Sequence, residues 1–493
     1  MLIFHRYGRV AMSKYRTFKD ADVEFSERIL IIENTWSRIS RQLTFLKGVW
    51  EALDEEHQDL QKHILLNFQK RLEVAVLEVS RIKLPSPYKD DSALGKRKAA
   101  KYSLLVKHSL DRAIRDLHTW AGEFDPTWWL ILRIADKAID KTIDTELAHE
   151  MRNESFEVAK HIRDALQTAQ PSAKDFFLKE ATLNAADRSA IPYSTSELVM
   201  LSTSGKSTNF ILDSVDCSAV EDVSVFAQNV QELAGRLEKI EPTTFHLLQC
   251  LGVSRTRDAK TRKVTSFNFI FKLPKGCVQP RSLRKLLLFT TNPSLNVRLS
   301  FARQLATSVS YIHVLDFVHK NIRPETTLVF EADGSPFGPL FLLGFETFRT
   351  ADGKSLRLTN ADRVENMYQH PERQGIAPST DHRMQHDIYS LGVCLLEIGL
   401  WESFVTQDNP TTPSPMFSNN SKSLKTQFTD LAKRHLPPKM GDKYTKIVVN
   451  CLTCMDPENE DFGDESEFKD EFGIKIGVKY IEKILLQLGE VSV

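Results

Sequence analysis

Cysteine is scarce in this chain, with six among 493 residues and none before Cys217. A disulfide framework of the kind that staples small secreted domains is therefore excluded. Cys451 and Cys454 form a C-x-x-C, but TKIVVNCLTCMD reads as a helix, and no second cysteine pair or nearby histidine completes a metal site. Neither sign of charge is in excess, because Lys plus Arg and Asp plus Glu each number 65. That balance removes the broad basic surface that nucleic acid or acidic membrane selects, leaving only local patches. No apolar run approaches the roughly 20 residues of a membrane-spanning helix, and MLIFHRYGRVAMSKYRTFKD holds no apolar stretch of signal-peptide length. The expected compartment is the cytoplasm.

What remains is the composition of an ordinary globular protein, with 41% hydrophobic and 26% charged residues. Single cores stop growing at about 250 to 300 residues, so two or three domains are expected. From Asp22 to Trp50 the apolar residues Phe25, Ile29, Ile32, Trp36, Ile39, Leu43, Leu46 and Trp50 recur every three or four positions, the mark of a long amphipathic helix. His63 to Ile82 repeats the pattern before two prolines end it. After a polar connection, Leu104, Leu105, Leu110, Ile114 and Leu117 lead a third helix into the aromatic run FDPTWWLILRIA. The simplest packing is an antiparallel bundle over residues 1–165.

Residues 166–190 are polar and small and read as a linker. Beyond them SELVMLST and STNFILDSV flank a Ser-Gly turn as a hairpin, FHLLQCLGV and SFNFIFKL read as two more strands, and DVSVFAQNVQELAGRLEKI is a helix between the pairs. Ser204-Gly205-Lys206-Ser207-Thr208 mimics the end of a phosphate-binding loop, but Met200 stands where its first glycine belongs, and a strand follows instead of a helix. From Leu283 onward helices dominate, with Leu299, Ala302, Leu305, Ala306, Val309 and Ile312 facing inward on one of them.

The stretch after that helix is His319, Lys320, Asn321, Ile322, Arg323, Pro324, Glu325 and Thr326. It resembles the catalytic loop of protein kinases, whose pattern is H-R-D-L-K-P-E-N. Further landmarks follow in order. Gly344, Phe345 and Glu346 stand where a metal-binding D-F-G is expected, Pro371 and Glu372 resemble the end of the A-P-E motif, Asp387 opens HDIYSLGVCLLEIGLW, and CLTCMDP resembles a later helix. The resemblance implies a bilobal α+β kinase-like fold over residues 191–490, with a small lobe to about 273 and a large lobe from about 274.

Phosphoryl transfer depends on placed charge: metal ions on carboxylate and amide ligands, a lysine on the phosphates, and an Asp receiving the hydroxyl proton. Set against that pattern, Asn321 replaces the catalytic Asp, Gly344 replaces the metal-binding Asp, and Thr326 replaces the second metal ligand. The anchoring lysine would fall near Val215, yet no Lys or Arg lies between Lys206 and Arg236. Arg323 keeps a positive charge where kinases usually carry lysine and could meet an anion, with surface solvation the commoner fate. The resemblance thus implies a pseudokinase with no catalytic residue intact, no metal and no cofactor, its hinge backbone after Phe271 offering at most weak, metal-independent nucleotide binding. His319, Pro324, Glu325, Phe345, Pro371, Glu372 and Asp387 are expected to keep structural roles.

The N-terminal helices, from DADVEFSERILIIENTW through FDPTWWLILRIA, resemble the HeLo-type (prion-inhibition and propagation) domains that precede kinase-like domains in fungal proteins. That resemblance implies signalling in incompatibility or cell death, with protein partners or self-association through the bundle and action at the membrane periphery. Such domains begin with an apolar helix, for which MLIFHRYGRVAMSKYR leaves little room. Lys96, Arg97, Lys98 and Lys101 are the basic candidates for anionic lipid, at about 1 kcal/mol per charge, with a solvated loop as the plainer reading. The competing readings are an atypical but active serine/threonine kinase and an interaction scaffold that never touches lipid.

Overall fold

The computed structural model describes residues 2–16, 23–81, 93–134, 136–148, 154–167, 177, 186–203, 206–218, 222–332, 334–345, 349–350, 363–374, 382–407, 413–414, 417, 421–468, 470 and 473–491. The chain forms two compact units, Met1–Glu157 and Val158–Val493.

The first unit is all-helical: α1 (Leu2–Arg16), α2 (Val23–Gly48), α3 (Glu55–Arg81), α4 (Ala93–Leu130), α5 (Lys137–Leu147) and the first turn of α6 (Glu154–Gln167). On α2 the apolar stripe from Phe25 to Leu46 is buried at every position the spacing picks out. A column of rings joins three helices, with centroids 6.1 Å apart for Trp36 and Phe68, 3.8 Å for Phe68 and Trp120, and 4.6 Å for Trp120 and Phe124. Trp128 and Trp129 are both buried, Trp128 edge-on to Phe45 and Phe156, so the aromatic run is core. Leu2–Arg16 is helical. It buries Ala11, Met12 and Tyr15, and at Gly8 it lies so close to Trp36 that a Cβ would stand 1.8 Å from the indole.

Two expectations change in α4. Leu104 and Leu105 are 68% and 52% exposed, and the inward face is Val106, Leu110, Ala113, Leu117, Trp120, Ala121 and Phe124. The basic run Lys96, Arg97, Lys98 and Lys101 sits on the first turns of α4, in helix and not in a loop, and its side chains lie outside the described residues. Among the described residues no helix is long and apolar enough to cross a membrane.

The second unit combines antiparallel sheets with helices. Strands β1 (Asp187–Ala190), β2 (Ser196–Thr203), β3 (Lys206–Asp216), β4 (Cys250–Arg257) and β5 (Val264–Lys272) form one antiparallel sheet in the order β1-β2-β3-β5-β4. Helix α7 (Val223–Leu237) connects β3 to β4 and packs on β4 and β5 through its buried face, Phe226, Val230, Leu233, Ala234 and Leu237. β1 falls within the stretch expected to be linker. All four of its residues are exposed, so no alternation marked it. β4 starts later than FHLLQCLGV suggests, because Pro242–Phe245 forms a helical turn capped by the Glu241 carboxylate. Thr203 pairs with Lys206, which places Lys206, Ser207 and Thr208 at the start of β3, paired with β2.

After the sheet come β6 (Val278–Ser282), α8 (Leu283–Phe289), α9 (Leu295–Val314), β7 (Thr327–Glu331), β8 (Leu340–Leu342), α10 (Arg363–Tyr368), α11 (Met384–Leu400), α12 (Ser421–His435) and α13 (Pro437–Leu452). Every residue of α11 is buried, including the polar Gln385, His386, Asp387, Ser390 and Glu397, as in a central helix. α13 can press against it because Gly392 and Gly399 lack side chains: a Cβ at either would lie 2.7 Å from Cys451 or Leu436. Cys451 and Cys454 are both buried, and burial holds their thiols protonated, Cys454 being pushed up to about 12. They are packing residues.

Candidate functional site

The loop between α9 and β7 is organised from below by Asp387 at the start of α11. Its buried carboxylate accepts the backbone N–H of His319 (2.6 Å) and of Lys320 (2.9 Å). His382 lies 3.0 Å from the same carboxylate, and burial lowers the imidazole pKa, so a neutral ring donates. Burial opposes charge on Asp387, yet the His382 contact and the backbone donors outweigh it and hold the group below the usual carboxylate range. The clamp fixes Lys320 at φ 67°, a left-handed conformation that costs a non-glycine residue energy.

Inside the loop the polar groups satisfy one another. Thr326 Oγ1 donates to the Asn321 carbonyl (2.7 Å) and accepts from the Arg323 N–H (3.2 Å), while Asn321 Nδ2 donates to the Gly344 carbonyl (3.1 Å). Gly344 has φ 81°, and a Cβ there would stand 2.2 Å from Thr326 Cγ2. No side chain fits at 344 while Thr326 is in place. Phe345 is buried with its ring 5.0 Å from His319, 6.4 Å from Phe269 and 6.3 Å from Phe271. Burial lowers the His319 pKa to about 4, so the ring is neutral.

The strand residue that reaches this loop is Asp213, two positions before Val215 on the same face of β3. It is fully buried, its Oδ2 accepts the Gly344 N–H (2.9 Å), and its Oδ1 accepts the Ser196 hydroxyl (3.1 Å). Burial drives its pKa up, against these donors and the Phe345 N–H. Sequence reasoning passed over Asp213. Its signal was an acidic residue in register with the inward Ile211 and Val215 of FILDSV.

Two arginines complete the surroundings. Arg323 is buried and pairs with Glu365 on α10 at 3.0 Å, so of the two fates open to it, solvation and an anion, it takes the anion, a carboxylate of the chain itself. Arg284 on α8, fully buried, pairs with Glu325 (2.7 Å) and Glu397 (2.6 Å) and donates to Ser403 Oγ (2.9 Å) and the Tyr368 hydroxyl. One guanidinium thereby ties α8, the Pro324–Thr326 turn, α10 and α11 together. The sequence carries no sign of this junction, whose members are 41 to 119 residues from Arg284 in the chain.

Of the residues singled out from sequence, His319, Lys320, Asn321, Thr326, Gly344, Phe345 and Asp387 converge on one locus. Pro324 is buried as the first residue of the Pro324–Thr326 turn, and Glu325 serves Arg284. Pro371 and Glu372 form a separate turn in which Glu372 is exposed. Glu346 lies outside the described residues. No protein-family model matches the chain, and no curated protein matches it either.

Proposed function

We propose that the second unit is a protein kinase-like domain without phosphoryl-transfer activity, a signalling pseudokinase that controls the N-terminal helical bundle as its effector, in the manner of the fungal proteins it resembles. The observation that carries this reading is Asp213. Where a kinase would reach from the third strand with a cation to hold phosphates, this chain places a buried acid already bonded to the backbone of Gly344. An ATP phosphate brought there would meet an acceptor, and an ionised one would repel it. Asn321, Gly344 and Thr326 supply no carboxylate for a base or a magnesium ion, and the nearest arginine is engaged by Glu365. Loss of the general base alone is worth about 10²- to 10⁴-fold in rate.

The test is a melting experiment with millimolar ATP, with and without magnesium, paired with a phosphotransfer assay. A ligand at 100 times its Kd stabilises a fold by about 2.7 kcal/mol, so tight binding is easily seen. The expected result is no magnesium-dependent shift and no transfer. Phosphate transfer that Asn321→Ala abolishes would overturn the proposal in favour of an active kinase.

A further inference from the structure

The turn between β1 and β2 is closed by the Ile191 N–H, which donates to the Ser196 carbonyl at 3.1 Å, and braced by the Ser194 N–H on the Ile191 carbonyl, also at 3.1 Å. Pro192, Tyr193, Ser194 and Thr195 lie inside it. None of the four is glycine and Pro192 has no N–H, so this backbone is ill-suited to wrapping phosphates. Its contacts run to the helical part of the unit instead. The Pro192 carbonyl accepts the Ser282 hydroxyl at 2.7 Å, 90 residues along the chain, and the Tyr193 ring lies 5.5 Å from that of Phe289. Tyr193 is held at φ 59°, a left-handed conformation that a non-glycine residue keeps only where its surroundings fix it.

Both receiving residues belong to α8, Ser282 as its N-cap and Phe289 as its last residue. Ser282 is fully buried, and its hydroxyl accepts the Lys285 N–H (3.1 Å) while it donates to Pro192. α8 is itself a fixed post, since Arg284 ties it to α10 and α11 and Trp401 Nε1 donates to the Thr290 carbonyl just past its end (3.1 Å). The turn is thus fastened to α8 through Pro192 and Tyr193. At its other end Ser196 begins β2 with its hydroxyl on Asp213.

We propose that this turn is a clasp: Pro192 and Tyr193 lock the five-stranded sheet to α8, so that the chain's own contacts hold the sheet and the helical part in one arrangement, independent of any ligand. The sheet also meets the helical part elsewhere. Beside the β4 edge, His246 Nδ1 donates to the Leu340 carbonyl (3.2 Å) and the His246 carbonyl accepts the Leu342 N–H (3.1 Å), while on the central strand Asp213 accepts the Gly344 N–H. A sheet joined only at one edge and at its centre can still rock about those joints, and hinge motion of this kind is how packed parts open. The clasp sits on β1 and β2, at the opposite side of the strand order, and stops that rocking. Phe289 is 50% exposed, so the ring pair lies at the surface and can part without unfolding either element.

The test uses the full chain. All six native cysteines are buried, so spin labels go to cysteines introduced by S189C and N292C, at exposed positions on β1 and just beyond α8. One narrow distance is expected, unchanged by millimolar ATP with magnesium. Tyr193→Gly removes the ring and suits the left-handed backbone, and Phe289→Ala removes its half-exposed partner. Either change should broaden the distance distribution. Amide exchange at residues 191–196 and 343–345 should rise together in both variants, roughly two- to tenfold, the span set by loss of one ring pair. The clasp is refuted by a parent distribution that is broad or that shifts with ATP, or by variants whose exchange at 343–345 stays unchanged. Phosphate transfer is scored separately, so the clasp can fail while the absence of transfer stands, and the reverse.

Discussion

Replacing Asp213 by Asn and by Ala distinguishes a neutral buried acid from a charged one. Its ordinary pKa is 3.8, and burial raises it in the fold. The unfolded chain therefore ionises first as pH rises, while the folded carboxyl keeps its proton. By linkage, the stability this group supplies is fullest below about pH 4 and declines towards the folded pKa, by about 1.4 kcal/mol per pH unit. Asparagine has no proton to lose. Its oxygen can accept the Gly344 N–H while its amide donates to Ser196, whose hydroxyl can turn to accept. Asp213→Asn is expected to match the parent protein near pH 4 and to exceed it above, with the gap widening as pH rises. Asp213→Ala removes both acceptors and leaves the buried Gly344 N–H unpaired, at a cost of about 1–3 kcal/mol. Native-state hydrogen exchange over β3 and residues 343–345, read between pH 5 and 8, reports both variants locally. If Asp213→Asn proves as damaging as Asp213→Ala at pH 7.5, the site requires a carboxylate anion, and the argument from a neutral acid is wrong.

Arg284→Ala leaves Glu397 buried opposite no cation and should cost about 3–5 kcal/mol. Arg284→Met combined with Glu397→Gln should cost less than the alanine change alone, and thermal melts within 1 kcal/mol of the parent for Arg284→Ala would show that the junction is dispensable. In the helical unit, burial lowers the His57 pKa from 6.5 to about 4, against the pull of Asp54 and the Thr127 carbonyl. Its unfolded form takes up a proton first as pH falls, so stability is constant above pH 6.5 and drops by about 3 kcal/mol in total on acidifying to about pH 4. Five of the six tryptophans lie in this unit, so fluorescence-detected unfolding reads it directly. His57→Gln should flatten the pH slope, and an unchanged slope would exclude His57 as its source.

Elements whose burial is one-sided were legible in the sequence. α2 and α7 each carry apolar residues at helical period, while β3 and β5, buried on both faces at their centres, were marked by dense apolar and aromatic sequence, and α11 by the motif it resembles. The failures have the opposite character. β1 is exposed on both faces and has no pattern to show. Leu104 and Leu105 matched a helical stripe without lying on the buried one. The loop around Asn321 was readable as a motif because its members are adjacent. Asp213 and Arg284 were not, because each acts on partners dozens of residues away, and position along the chain says nothing of such meetings.

Gly344 and Thr326 constrain each other. The methyl of Thr326 occupies the volume that any side chain at 344 would need, and the left-handed backbone at 344 disfavours every residue that has one. An aspartate placed at 344 would therefore meet a steric barrier from Thr326. Changing Thr326 first would unfasten the hydroxyl that holds the Asn321 carbonyl and the Arg323 N–H. Neither position changes alone without a clash or a lost hydrogen bond, so a charged side chain at 344 requires substitutions at both together.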